Sequence, residues 1–307
     1  MKIFGKILSK KVSVSITVAS LFVVATLVYS LGYSMAMRKF NSIVGYTQEK
    51  QKMYSKLSEV DYNIRDGYIG DIDEDKLFDS TCMGYIKGLG DSNAKFLSSA
   101  DYQSYKVEQE SLPGDVEVTN LENGIAVIRC SSLGKNFADY FVTALNNLVS
   151  EGVRGVVIDL RGCSKGAEQE LISTAQHIAD KGDIIYTLDA NNKKEVVCSS
   201  TSDKPDVKLV TLVNDETSGL AEVFASLLKD SCGAKVVGVE TAGNAVRTKA
   251  VSLSDDSVII FPDAFYVTSS GQKLFKKGIK PDINVVNKST EEDSQMKEAV
   301  SALERML

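Results

Sequence analysis

The pattern of apolar and polar positions divides the chain into three stretches. Residues 12–33 carry no charge and are rich in Val, Leu, Ala and Ser. As a helix such a run reaches about 33 Å, the thickness of a bilayer's hydrocarbon core. It has no polar face, which sets it apart from a buried core helix. Residues 41–106 are polar and helical in pattern, with a juxtamembrane stretch to 59, a helix over 74–89 and a short segment over 100–105. The Ser-Leu-Pro-Gly run at 111–114 marks a boundary. After it, short apolar runs alternate with amphipathic segments. The runs predict strands at 125–129, 155–160, 208–213, 235–239, 258–261 and 265–268, and helices at 138–150, 167–179, 220–229 and 294–306. In 220–229, Leu220, Val223, Phe224, Leu227 and Leu228 fall on one helical face. This alternation predicts an α/β core with a largely parallel sheet.

Charge orients these stretches. Of the 35 lysines and arginines, Lys2, Lys6, Lys10, Lys11, Arg38 and Lys39 lie in residues 1–40, which hold no acid; the other 29 share the body with all 41 acidic residues. The lysines ahead of the apolar run place residues 1–11 in the cytoplasm and the body outside. A cleaved signal peptide is the competing reading, because Ser34-Met-Ala36 is a small-x-small triplet. The run exceeds the usual signal length, so the expectation is a single-pass anchor over 12–34, with a secreted body if the segment is cleaved. An acidic body does not fit nucleic-acid binding, which needs clustered positive charge.

Composition removes further classes. The only histidine is His177, so a multi-histidine zinc site is excluded and a Ser-His-Asp triad would rest on that residue. The five cysteines are odd in number and show no CxxC spacing, against a disulfide framework or zinc ribbon. No cofactor and no metal are expected.

Several segments in order carry a family resemblance. They are Leu89-Gly-Asp-Ser-Asn-Ala-Lys-Phe-Leu97 with Asp101-Tyr102, and Gly155-Val-Val-Ile-Asp-Leu-Arg161 before a glycine-containing turn. Leu212-Val-Asn214 follows, with Glu222 eight residues after the Asn, then Gly238-Val-Glu-Thr241 with Gly243. Last come Tyr266-Val-Thr-Ser-Ser-Gly271 and Gly278-Ile-Lys-Pro-Asp-Ile283. Together they resemble the C-terminal processing, or tail-specific, serine peptidases over about residues 62–286. The resemblance implies a crotonase/ClpP-like α/β core, at 115–290, capped by N-terminal helices, at 41–106; the apolar run adds one N-terminal transmembrane helix, and the patterning a C-terminal helix at 291–307.

The family's catalysis runs on serine and lysine, and here the chain departs from it. The position three residues before Glu222 is Gly219; the lysine position, 25 residues later, is Asn244; the supporting glutamine position is Thr248. Gly219 has no oxygen to attack with, and a carboxamide cannot act as a base near neutral pH. Three rescues merit weighing. Ser218 is adjacent to the nucleophile position, although Thr217 or Ser218 at a helix start reads first as an N-cap. Its base would have to come from Lys249, since Arg247 stays protonated. A Cys163–His177 dyad is spread along a helix, with His177 opposite the Leu171, Ile172, Ala175, Ile178 stripe. Ser164 lies in Gly162-Cys-Ser-Lys-Gly166, which replaces the family's glycine-rich oxyanion turn. Only about twenty residues separate Tyr102 from Gly124, too few for the PDZ domain found there in most relatives.

The expectation is therefore a membrane-anchored, extracytoplasmic pseudopeptidase that binds a peptide or protein, with Gly166, Gly219 and Leu220 as the peptide- or oxyanion-binding positions. Candidate partners include a second copy of the chain or an active relative. A divergent, functioning serine endopeptidase using Ser218 is the alternative.

Overall fold

A computed structural model of the chain describes residues 14–287 and 292–307. The basic tail at 1–11 lies outside the described residues. The chain divides into two units, Met1–Asp73 and Glu74–Leu307.

The first unit is one 54-residue helix, α1 (Val14–Gly67). Its segment Val18–Met37 has a mean hydropathy of 1.7 and is long and apolar enough to cross a membrane; it overlaps the expected 12–34, whose first two residues lie outside the described ones. The helix continues through the polar residues that follow and stops at Gly67, where glycine no longer favours helical backbone. The division at Asp73 falls inside 41–106, so the cap expected as one piece is split. Residues 41–73 go with α1, and 74–106 go with the second unit.

The second unit begins with α2 (Glu74–Lys87), whose Glu74 and Asp75 at the start and Lys87 at the end complement the helix dipole. A short strand, β1 (Lys95–Leu97), leads to α3 (Ser99–Ser111), capped by Ser98, whose side chain accepts from Asp101 N. The core then runs β2 (Gly114–Asn120), β3 (Ile125–Leu133), α4 (Phe137–Ser150), β4 (Gly155–Asp159) and α5 (Glu168–Ile178). After these come β5 (Gly182–Asp189), β6 (Lys194–Ser200), β7 (Lys208–Val213), α6 (Leu220–Cys232) and β8 (Lys235–Gly238). The chain ends with β9 (Val246–Ser252), β10 (Val258–Val267), β11 (Ile283–Asn284) and α7 (Ser294–Glu304).

Six strands form the main sheet in the order β11-β8-β7-β4-β3-β2. All neighbours are parallel except β2, which pairs antiparallel with β3. Helices α4, α5 and α6 cover one face, where the rings of Phe137, Phe141 and Phe224 meet at centroid distances of 5.3–5.8 Å. On the other face Ala299, Ala302 and Leu303 of α7 pack with Val157, Val210 and Leu212. Burial on both faces explains why β4 and β7 read as unbroken apolar runs.

The second sheet is antiparallel, in the order β1-β10-β5-β6, with β9 also paired to β10. Here sequence patterning falls short. The strands expected at 258–261 and 265–268 are one strand, because the register shift between Pro262 and Ala264 absorbs the proline without ending it. The half-exposed strands β2, β5, β6 and β9 gave no continuous apolar run.

Candidate functional site

The site is built where β7 meets α6. After Val213 the chain turns through Asn214–Thr217 and enters α6 at Gly219, whose φ of 63° and ψ of −123° lie where only glycine is unstrained. The turn is held from two sides. Thr217, fully buried, donates through Oγ1 to Leu160 O at 2.9 Å, and its backbone carbonyl accepts from Ala242 N at 3.0 Å. Asn214 Oδ1 accepts from Gly162 N and from Thr217 N, and Ser218 N donates to Cys163 O at 3.0 Å. These bonds tie the turn to the loop after β4. The residue capping α6 is Gly219, which corrects the expectation of Thr217 or Ser218. Thr217 is committed to the turn, and the N–H of Gly219 donates to Glu222 Oε2.

Glu222 organises the rest. Its carboxyl group is fully buried and accepts four hydrogen bonds: Gly219 N at 3.0 Å and Asn244 N at 2.7 Å on Oε2, Thr241 Oγ1 and Gly243 N, both at 2.6 Å, on Oε1. The backbones of Gly219 and Asn244 therefore meet on one oxygen atom. Thr241 extends the arrangement, because its Oγ1 also accepts from Ile279 N at 2.8 Å. A Cβ on Gly278 would come within 2.4 Å of Thr241 O, so glycine is required at that crossing. Asp282 closes the next turn by accepting from Lys229 Nζ and Val236 N.

The Asn244 side chain does not point to a free position. Its Oδ1 accepts from Asn93 Nδ2 at 2.8 Å, and its Nδ2 donates to Asn93 Oδ1 at 3.4 Å. Asn93 comes from the turn before β1, 151 residues earlier. Thr248 is exposed on β9 opposite Pro262. The network joins Gly219 and Asn244, and Thr248 has no bond to it among the described residues.

A model of peptidase family S41 matches residues 124–285, more than half of the chain. The chain belongs to this family. The carboxy-terminal processing protease CtpA of Bacillus subtilis (strain 168) is 28% identical over 179 residues, which are 58% of this chain and 38% of that protein. The chloroplastic C-terminal processing peptidase of Tetradesmus obliquus is 28% identical over 162 residues, 52% of this chain and 35% of that protein. The matched part is thus little more than a third of the length of these relatives. Among solved structures, a photosystem II D1 C-terminal processing protease aligns over 63% of this chain and 48% of its own, with 25% identity and a TM-score of 0.50. A lipoprotein from Streptococcus agalactiae shares the fold over 70% of this chain and 77% of its own, with a TM-score of 0.55 at 18% identity.

Within this S41 fold the remaining candidates separate clearly. Ser218 is half-buried, and no basic side chain bonds to its hydroxyl among the described residues. Arg247, nearby in sequence, is held by Asp263 through two bonds of 2.9–3.0 Å. Cys163 is buried, which pushes its thiol up to about 12. His177 is exposed and its Nδ1 bonds Ser173 O at 2.7 Å, so the two make no dyad. Ser164 is exposed, and its carbonyl oxygen, at 3.9 Å, is the nearest atom to a Cβ built on Gly219. Gly166 bridges to Leu133, whose Cβ would stand 2.9 Å from a Cβ there. Leu220, the first residue of α6, has an N–H with no acceptor inside its helix.

Two further groups lie in the motif segments, but the sequence did not reveal their partners. Tyr266, buried on β10, donates its hydroxyl to Glu168 at the start of α5; burial and the neighbouring carboxylate raise its pKa well above the usual phenol value. Arg161, from the Asp-Leu-Arg segment, grips Asp159 and Asp293 with four bonds of 2.8–2.9 Å. Burial alone would lower its pKa, but these bonds more than offset that and raise it. Asp293 is also the N-cap of α7, so the end of β4 is pinned to the helix on the far face.

Proposed function

We propose that this chain is a catalytically silent member of the S41 family, anchored in a membrane by α1 with its body outside the cytoplasm, and that it acts by binding a peptide or protein segment. One observation carries the reading. Glu222 holds the backbones of Gly219 and Asn244 together at 3.0 and 2.7 Å, the strand-turn-helix elbow intact, while neither residue supplies a nucleophile or a base. A Ser-Lys mechanism needs a hydroxyl within reach of a neutral amine. At these two positions the chain offers a hydrogen atom and an amide already paired with Asn93. What persists is a turn and a helix start at which the N–H groups of Ser218 and Gly219 are taken by Cys163 O and Glu222, leaving the N–H of Leu220, at the positive end of the helix, to favour a carbonyl or carboxylate. The crotonase-like description of the core belongs to the same reading. So does the lack of an inserted PDZ domain, because α3 and β2 take up the chain between Tyr102 and Gly124.

The test uses the full chain in detergent micelles. A fluorophosphonate probe should leave it unlabelled, and immobilised peptides with free C-terminal carboxylates should retain it. Labelling that disappears in Ser218→Ala would establish the divergent endopeptidase instead, and absence of any peptide binding would remove the binding role.

A further inference from the structure

The polar part of α1 carries a second periodicity. Counting in sevens from Ile43, the first and fourth positions are Ile43, Tyr46, Lys50, Met53, Leu57, Val60 and Ile64. Six of these seven are apolar or aromatic, whereas of the fifteen other residues from 43 to 64 only Val44, Tyr54 and Tyr62 are. A spacing of 3.5 residues sustained over three heptads is the pattern of a two-helix seam rather than of a helix laid on a globular core, which prefers a wider stripe. From Tyr46 onward the stripe is exposed on the helix, with Leu57 at 43% and Val60 at 52% of their full accessible surface.

We propose that residues 43–64 form a parallel, in-register, two-stranded coiled coil with a second copy of this chain. Charge complementarity selects that partner. Lys56 occupies the position flanking one side of the seam, and Asp61, five residues on, flanks the other side; Asp61 also accepts from Arg65 of its own helix at 2.9 Å, so its carboxylate is shared between the two cations. In a parallel pair these positions face each other across the interface, so Lys56 meets Asp61 of the partner subunit, twice by symmetry. Lys50 at a seam position costs stability but fixes register and favours two strands. The same frame continued toward the N-terminus puts Gly32 and Ala36 on the seam inside the apolar segment. Small residues there let two helices approach closely in a bilayer.

The inference is independent of the peptide-binding reading and has its own test. In a Cys82→Ser background, Leu57→Cys in the full chain should cross-link to a covalent dimer under mild oxidation. Ser55→Cys, on the outer side of the same helix, should give at least about tenfold less, since its thiols face away from the seam. Light scattering should give twice the 33.3 kDa chain mass after correction for detergent. Lys56→Asp should shift the protein toward the monomer, and adding Asp61→Lys together with Arg65→Glu, which keeps the pair within the helix, should restore the dimer. Equal cross-linking at both positions, a monomeric or trimeric mass, or failure of the exchanged pair to restore the dimer would each overturn the proposal.

Discussion

Asn93 and Asn244 face each other amide to amide, with Asn93 Nδ2 donating to Asn244 Oδ1 at 2.8 Å and the return bond at 3.4 Å. In an active relative the second position would need a free amine. Here it serves as a clasp between the turn before β1 and the loop between β8 and β9. Asn93→Ala should therefore cost about 0.5–1.5 kcal/mol in urea unfolding, the net worth of such a bond. It should also speed amide hydrogen exchange across 93–97, whereas a role confined to the Asn244 side would leave exchange there unchanged.

Glu222 is a stronger determinant, because four donors converge on it inside the protein. Glu222→Gln keeps the volume but replaces one acceptor oxygen with a donor. Gly219 N and Asn244 N, or Thr241 Oγ1 and Gly243 N, then lose their acceptor. Each buried group left unpaired costs about 1–3 kcal/mol, so the variant should lose roughly 2–6 kcal/mol on that accounting. Thermal unfolding within a degree of the parent would refute this account of the elbow.

Particular residues show why some of this was legible in the sequence and some was not. The parallel strands β3, β4, β7 and β8 were readable because both faces are buried over apolar stretches, 125–128, 156–158, 209–210 and 236–237. β6 was not, because the polar Lys194, Glu195, Ser199 and Ser200 leave too short an apolar run between them. β1 and β11, at three and two residues, are too short to carry a period. Gly219 and Asn244 could be located only through family spacing, since neither residue type advertises a site. Asn93 lies in the 89–97 motif segment, but nothing there named its partner: Asn244 is 151 residues away, and only the folded backbone brings them together.

The Arg161–Asp293 pair predicts a pH dependence. Partial burial would raise the Asp293 pKa, but the Arg161 guanidinium and the Met296 N–H more than offset this and hold it below the usual carboxylate value. A carboxylate whose folded pKa is depressed adds stability above its unfolded pKa, near 3.9. That stability is lost as pH falls through the folded value. Asp293→Asn keeps an oxygen to cap Met296 N but removes the charge and the second acceptor for Arg161. The variant should be less stable than the parent at pH 7, and the gap should close below about pH 4. A gap independent of pH would show that the charge contributes nothing.

Restoring the missing groups tests whether the elbow is still competent. A Cβ at Gly219 meets nothing closer than Ser164 O at 3.9 Å, so a serine fits, but its φ of 63° is strained for any L-residue. Gly219→Ser should lower stability by about 1–3 kcal/mol and should remain unreactive, because no base reaches the new hydroxyl. Adding Asn244→Lys breaks the clasp to Asn93 and places an amine on the loop whose backbone shares Glu222 Oε2 with residue 219. The double variant should become labelled by a fluorophosphonate at a rate that rises with pH as the amine deprotonates. If the single variant labels equally fast, some other group acts as base and the assignment of Asn244 to that position is wrong.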